Sequence, residues 1–288
     1  MSSELTILDG GMGGELIRRG FPSGGLWSAK ALLENPEVVQ AVHEDYVNAG
    51  AQVLITNSYS TIPSYLAKEN MQSRYVELTS IAARLARQVA DAATTEVRVA
   101  GCIPPLSESY RPDLVPSDEE SRPIYAEIVK ALSADVDLYI CETMSSVREA
   151  VNAASSVRET DPEKPLWMAL TLADEPGCGL RSGETMAQVV AALEPHNVDA
   201  FLFNCTDPNA ISVALEDLAP LTTKATGAYP NRFHVPPGWT LDNEIKTEPT
   251  EMTVEDYLHF VDTWRRSGAT IIGGCCGVGP EFIAALSS

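Results

Sequence analysis

Eight short apolar runs, each followed by a longer stretch of helical period, constrain this chain more than any other feature. They are "TILDGG" from Thr6, "VLITNSY" from Val53, "VRVAGC" from Val97, "DLYICET" from Asp137, "LWMALTL" from Leu166, "AFLFNC" from Ala200, "KATGAY" from Lys224 and "ATIIGGCC" from Ala269. Short β-branched runs alternating with helices specify βα units around a parallel sheet. The intervening segment "PEVVQAVHEDYVNAG" sets Val38, Val39, Val42, Tyr46 and Val47 at i, i+3, i+4 spacing and stops at Gly50, as a glycine-terminated helix does. "SRYVELTSIAARLARQVADAA" reads as a second helix of this kind. Eight such units in 288 residues suit a (β/α)8 TIM barrel, typically about 250 residues long. One α/β domain spanning residues 1–288 is therefore predicted, although an open doubly wound sheet would show the same periodicity. Three connections are long, spanning roughly residues 11–26, 104–121 and 230–252. All follow strands and so open on the C-terminal face, where barrel active sites are built.

Charge narrows the function classes. A formal net charge of -20 opposes binding to nucleic acid or anionic lipid, because both need Lys and Arg to neutralise phosphates. The N-terminus "MSSELTILDGG" has no basic segment leading into an apolar one, and no run approaches about 18 consecutive apolar residues. A cytoplasmic protein acting on small molecules is expected. Its six cysteines do not form an evenly spaced disulfide framework and should be thiols, buried or metal-bound.

The chemically able residues gather at the C-terminal ends of the predicted strands: Asp9, Asn57, Cys102, Cys141, Glu142, Asn204, Cys205, Cys275 and Cys276. The most specific element is "GGCCGVGP", residues 273–280. A catalytic Zn2+ commonly takes three protein ligands and leaves a fourth position open. Neighbouring side chains on a strand point to opposite faces, so Cys275 and Cys276 can share an ion only where the chain turns, which Gly273, Gly274 and Gly277 permit. Cys205 ends its strand as the double cysteine does and is the preferred third ligand, with Cys102 and Cys141 as substitutes and Cys178, in "DEPGCGLRSGE", a weaker choice. Other readings remain open. A single cysteine is ordinarily a small buried hydrophobe, a vicinal pair can form a strained disulfide, and a glycine-rich loop after the eighth strand can bind phosphate.

With these elements in place, the chain resembles the zinc-dependent homocysteine S-methyltransferase family. The resemblance runs in order through "ILDGGMGGELIRRG", "LWSAKALLENPEVV", "GAQVLITNSY", "CET", "FNC", "YPN" and "GGCCG". It implies a (β/α)8 barrel holding zinc through Cys205, Cys275 and Cys276. It further implies that the backbone at Gly11 and Met12 receives the carboxylate of homocysteine, while Asp9 and Glu142 hold its ammonium. Asn57, a further substrate contact, and Asn204 either orient ligands or bind substrate, or satisfy backbone groups at strand ends. "DGGMGGEL" fails the dinucleotide-binding spacing, since Leu16 stands where that fingerprint needs glycine or alanine.

The expected reaction transfers a methyl group from a cationic small-molecule donor, S-methylmethionine first, to the homocysteine thiol. Another donor (betaine, S-adenosylmethionine) or another thiol or selenol acceptor is the alternative. A non-catalytic zinc- or redox-sensing barrel is the rival from a different class. With no room expected in 288 residues for separate folate and cobalamin domains, a free small-molecule donor is expected, unless partner proteins supply those parts. The loops "CIPPLSESYRPD" and "RFHVPPGWTLDN" depart from the S-methylmethionine enzymes and leave the donor open. Glu108 and Asp113 either attract a sulfonium or form a solvated loop face. His43, His196, His234 and His259 share no ligand spacing and are expected on helix surfaces or loops.

Overall fold

The computed structural model describes residues 5–21, 26, 28–236, 248–249 and 252–287. Its strands are β1 (Thr6–Ile7), β2 (Val53–Ile55), β3 (Arg98–Ile103), β4 (Leu138–Met144), β5 (Leu166–Leu170), β6 (Ala200–Asn204), β7 (Ala225–Tyr229), the small antiparallel pair β8 (Phe233–His234) and β9 (Glu248–Pro249), and β10 (Ile271–Ile272). Helices α1 (Met12–Arg18), α2 (Ser28–Glu34), α3 (Pro36–Asn48), α4 (Pro63–Leu66), α5 (Tyr75–Ala92), α6 (Asp118–Leu132), α7 (Val147–Thr160), α8 (Met186–Leu193), α9 (Pro208–Leu218), α10 (Val254–Arg266) and α11 (Pro280–Leu286) lie between and after them. The parallel ladder runs β1-β10-β7-β6-β5-β4-β3-β2. Its ends meet where Leu8 bridges Val53, with Gln52 N–H donating to the Ile7 carbonyl at 2.8 Å and Asp9 N–H to that of Val53 at 3.1 Å. All eight predicted runs are staves of one (β/α)8 barrel.

Two-residue alternation divides the core into two shells. Leu8, Val53, Ala100, Leu138, Ile140, Ala169, Leu202 and Ile271 fill the barrel, while Val99, Tyr139, Cys141, Met168, Phe201 and Phe203 pack outward under the helices. Fully burying one such aliphatic side chain stabilises by about 1.5–3 kcal/mol. At the N-terminal end of the barrel, Arg98 lies over the Trp167 ring, 5.4 Å from its centroid. Helix starts on the opposite end are fixed by side-chain caps. Ser117, Thr185 and Thr253 form capping boxes with Glu120, Gln188 and Asp256. No helix of the described residues is long and apolar enough to cross a membrane.

The connections differ in part from expectation. Residues 11–26 are not simply a loop, because α1 begins at Met12. Its glycines disfavour helix, but Leu16 is buried in the outer core and Glu15 pairs with Arg18. The loop after β7 carries β8 and β9, and of the long connection expected over residues 230–252, positions 237–247, 250 and 251 lie outside the described residues. So do Met1–Glu4 of the N-terminal motif and Trp27 of "LWSAKALLENPEVV".

Candidate active site

A cavity of about 410 Å³ opens on the C-terminal face of the barrel. One wall is sulfur, contributed by Cys205, Cys275 and Cys276, and another carries the carboxyl groups of Asp9 and Glu142. Tyr59, Tyr65, Tyr110 and Phe233 line it as well.

Close backbone packing builds the sulfur wall. The chain turns at Cys275–Val278, closed by Val278 N–H to the Cys275 carbonyl at 3.1 Å, with Gly277 at φ 82°. Gly273 and Gly274 serve differently from expectation. Neither has a positive φ, and each is needed for close approach: a Cβ on Gly273 would lie 2.5 Å from Leu8, and one on Gly274 would overlap Val278. Gly11 faces the same turn, where a Cβ would sit 2.6 Å from the Cys275 carbonyl oxygen. The loop is hydrogen-bonded on several sides, by Gly274 N–H to Asp9 O at 3.0 Å, Cys275 N–H to Pro230 O at 2.9 Å and Arg232 N–H to Cys276 O at 2.9 Å. Cys205 follows β6, where alternation would aim it away from the barrel. Its φ of 49° turns it to the cavity.

The three sulfurs lie within 4.8 Å of one another and form the one group of three or more His, Cys, Asp or Glu side chains able to hold a metal among the described residues. Thiolates sharing a tetrahedral ion at about 2.3 Å would sit roughly 3.8 Å apart, so the spacing fits. Sequence reading expects thiols here, whereas Cys205 and Cys275 are joined as a disulfide, with Cα atoms 5.6 Å apart. Sulfurs brought this close can be joined by oxidation, and the reduced pair is the form that can bind an ion. Burial, with Glu142 nearby, pushes the Cys276 thiol up to about 12. A thiolate in this place needs a cation beside it, which a metal ion would supply.

Burial and neutral donors build the carboxyl wall. Asp9 is 4% and Glu142 7% exposed, and among the described residues neither pairs with a cationic side chain. Desolvation raises the pKa of both; Ile55 N–H, donating to Asp9 Oδ2 at 2.9 Å, opposes this, and Glu142 raises Asp9 further. The Tyr229 hydroxyl donates to Glu142 Oε1 at 3.0 Å, and the Cys102 thiol donates to the same carboxylate. Two buried carboxyl groups facing one cavity make a place for a cation.

Several expected residues stand elsewhere. Cys141 faces the helical shell, Cys102 serves Glu142, and Cys178 is exposed, so none joins the sulfur cluster. Gly11 N–H is committed to the Val278 carbonyl at 3.0 Å, which leaves Met12 and the following amides of the first turn of α1 without intrahelical acceptors. The Asn57 amide lines the cavity while donating to the Ser28 carbonyl at 3.2 Å. Asp113 pairs with Arg111 at 2.6 Å and Glu108 with Lys68 at 3.7 Å, and neither acid lines the cavity. His259 is exposed, His196 half-buried, and His234 pairs with Asp207 at 3.3 Å. His43 departs from expectation: it is fully buried on the core face of α3, and neither ring nitrogen has a hydrogen-bond partner among the described residues. Burial there favours the neutral imidazole over the charged one. Sequence reading also missed Tyr229, although it opens "YPN", and Thr143.

Fold and site together define a (β/α)8 barrel enzyme with a three-cysteine cluster able to hold a metal. More particularly, the chain belongs to the homocysteine S-methyltransferase family, which it matches over residues 6–288. It is 33% identical to the homocysteine S-methyltransferase of Escherichia coli (strain K12), covering 99% of this chain and 95% of that protein. It is 32% identical to homocysteine S-methyltransferase YbgG of Bacillus subtilis (strain 168), covering 99% and 94%. The metallated form of the homocysteine methyltransferase MmuM from Escherichia coli superposes with a TM-score of 0.82 at 31% identity, covering 99% of this chain and 96% of that one.

Proposed function

We propose that this protein transfers a methyl group from a cationic donor to the thiol of homocysteine, yielding methionine, with zinc held by reduced Cys205, Cys275 and Cys276. The supporting observation is the opposition, across one cavity, of three converging sulfurs and two buried carboxyl groups with no cationic partner among the described residues. Bound there, zinc would present the acceptor sulfur as a thiolate near neutral pH. Asp9 and Glu142 would receive the acceptor ammonium, with Tyr229 and Cys102 keeping Glu142 oriented. Met12 and the next amides of α1 would take the carboxylate, and Asn57 borders the same space. The methyl group forms a bond to the acceptor sulfur as its bond to the donor sulfur breaks, and the donor keeps that electron pair and leaves as a neutral thioether. Aromatic faces suit a sulfonium, since a cation within about 6 Å of a ring centroid is attracted to it. Tyr59 and Phe233 line the cavity, which suits a cationic donor, and S-methylmethionine is the first to test. The test is reduction, zinc loading and incubation with homocysteine and, separately, S-methylmethionine, betaine and S-adenosylmethionine. Methionine formed with S-methylmethionine is the expected result. No methionine with any of the three donors would overturn the reading.

A further inference from the structure

Besides Tyr110, in the loop after β3 at φ 65°, two non-glycine residues of the site adopt left-handed backbone, Thr143 at φ 58° and Cys205 at φ 49°. For a β-branched residue this is an outlier, and such strain persists only where the surroundings hold it. Both sit at the same kind of place. Thr143 follows the inward Glu142 on β4, where the register with β5 shifts between Cys141 and Met144, and Cys205 follows the inward Asn204 on β6. In each pair the reversal leaves both neighbours facing the cavity.

One side chain ties the two pairs together. Asn204 Oδ1 accepts from Thr143 N–H at 2.9 Å, and Asn204 Nδ2 donates to Thr143 Oγ1 at 2.9 Å. Asn204 is 1% and Thr143 0% exposed. Strands β4 and β6 are not paired, because β5 lies between them, so this side chain reaches past the end of β5. It joins the residue after Glu142 to the residue before Cys205.

We propose that Asn204 and Thr143 form a strut that sets the distance between the sulfur wall and Glu142, and thereby the chain length of the accepted amino-acid thiol. The proposal rests on homocysteine being the acceptor. A thiol one methylene shorter, cysteine, places its sulfur up to one carbon–carbon bond, about 1.5 Å, from the site when its ammonium is held. A misplacement of about 1 Å can cost a hundredfold in rate. Asn204 acts through its neighbours and is a positioning residue.

The test uses reduced, zinc-loaded wild type, Asn204→Ala, Thr143→Val and Thr143→Ser with S-methylmethionine. Methionine from homocysteine and S-methylcysteine from cysteine are measured. No methionine from wild type would defeat the acceptor reading and not the strut. With wild-type turnover established, Asn204→Ala and Thr143→Val should lower the homocysteine-to-cysteine ratio of kcat/KM by about tenfold or more, as loss of a buried hydrogen bond allows. The change should come chiefly through the homocysteine kcat, at unchanged zinc content. Thr143→Ser keeps both hydrogen-bonding groups and should keep the wild-type ratio. Equal losses for both thiols in Asn204→Ala, or a Ser variant indistinguishable from Val, would overturn the strut. Should Asn204→Ala not fold, the Val and Ser pair decides.

Discussion

The sulfur wall and the carboxyl wall of the cavity are built by different physics. Around the sulfurs, glycines let backbones approach to distances at which a methyl group would collide, so shape is set by packing. The backbone at Asp9 shares that packing through Gly10 and Gly273, but the carboxyl groups of Asp9 and Glu142 are governed differently. Their chemistry is set by removal from water and by the neutral donors Ile55 N–H, Tyr229 and Cys102. Damage to the first wall should therefore appear as lost metal or lost fold, and damage to the second as lost affinity for the acceptor with the metal kept.

The largest effect is expected from Cys276→Ser, measured as zinc per chain after reduction and as methionine formed. Replacing a mere partner of a metal ligand typically costs 10–100-fold in affinity or activity, so loss of a ligand should exceed about a hundredfold in both. Full zinc retention with intact activity would remove the sulfur wall from the comparison.

Glu142→Gln should leave zinc unchanged and weaken homocysteine use by tens to thousands of fold, since truncating a buried charge pair costs about 2–5 kcal/mol. A deaminated homocysteine analogue should lose far less, and equal losses would assign Glu142 another task. Thermal unfolding offers a second readout. A carboxyl group whose pKa burial raises above its unfolded value favours folding below that unfolded value and loses this contribution as pH rises through the folded pKa. The neutral Gln should consequently raise Tm of the ligand-free protein at pH 7 and confer no such gain in acid.

Gly11→Ala sharpens the other side. Its methyl group would meet the Cys275 carbonyl, and overpacking typically costs about 1–3 kcal/mol. Lower Tm and weakened zinc retention should appear together, whereas a drop in acceptor affinity alone would blur the distinction between the walls.

His43 lines neither wall and should affect stability only. Burial lowers its pKa to about 4 from the ordinary 6.5, so the folded state favours neutral imidazole. Its contribution is complete above pH 6.5 and falls away as pH drops toward 4, by about 3 kcal/mol in all. His43→Leu should flatten that acid limb of Tm while leaving kcat/KM unchanged at neutral pH.

Much of this molecule was legible in order along the chain. The eight apolar runs became the eight staves, Val39, Val42 and Tyr46 became the buried stripe of α3, and the chemical residues did collect at strand ends. Cys205, Cys275 and Cys276 lie together, whereas strand-end position by itself left Cys102 and Cys141 as alternatives to Cys205. Local periodicity and glycine placement carry such information because they depend on neighbours within a few residues. The tertiary structure alone decided the pairing of Tyr229 with Glu142 across 87 residues and of Asn204 with Thr143 across 61. It also turned Thr143 and Cys205 left-handed, committed Cys102 to a carboxylate and closed His43 into the core. Those outcomes depend on which strand ends face each other across a closed barrel, a relation that exists only once β1 meets β2 and that no local pattern encodes.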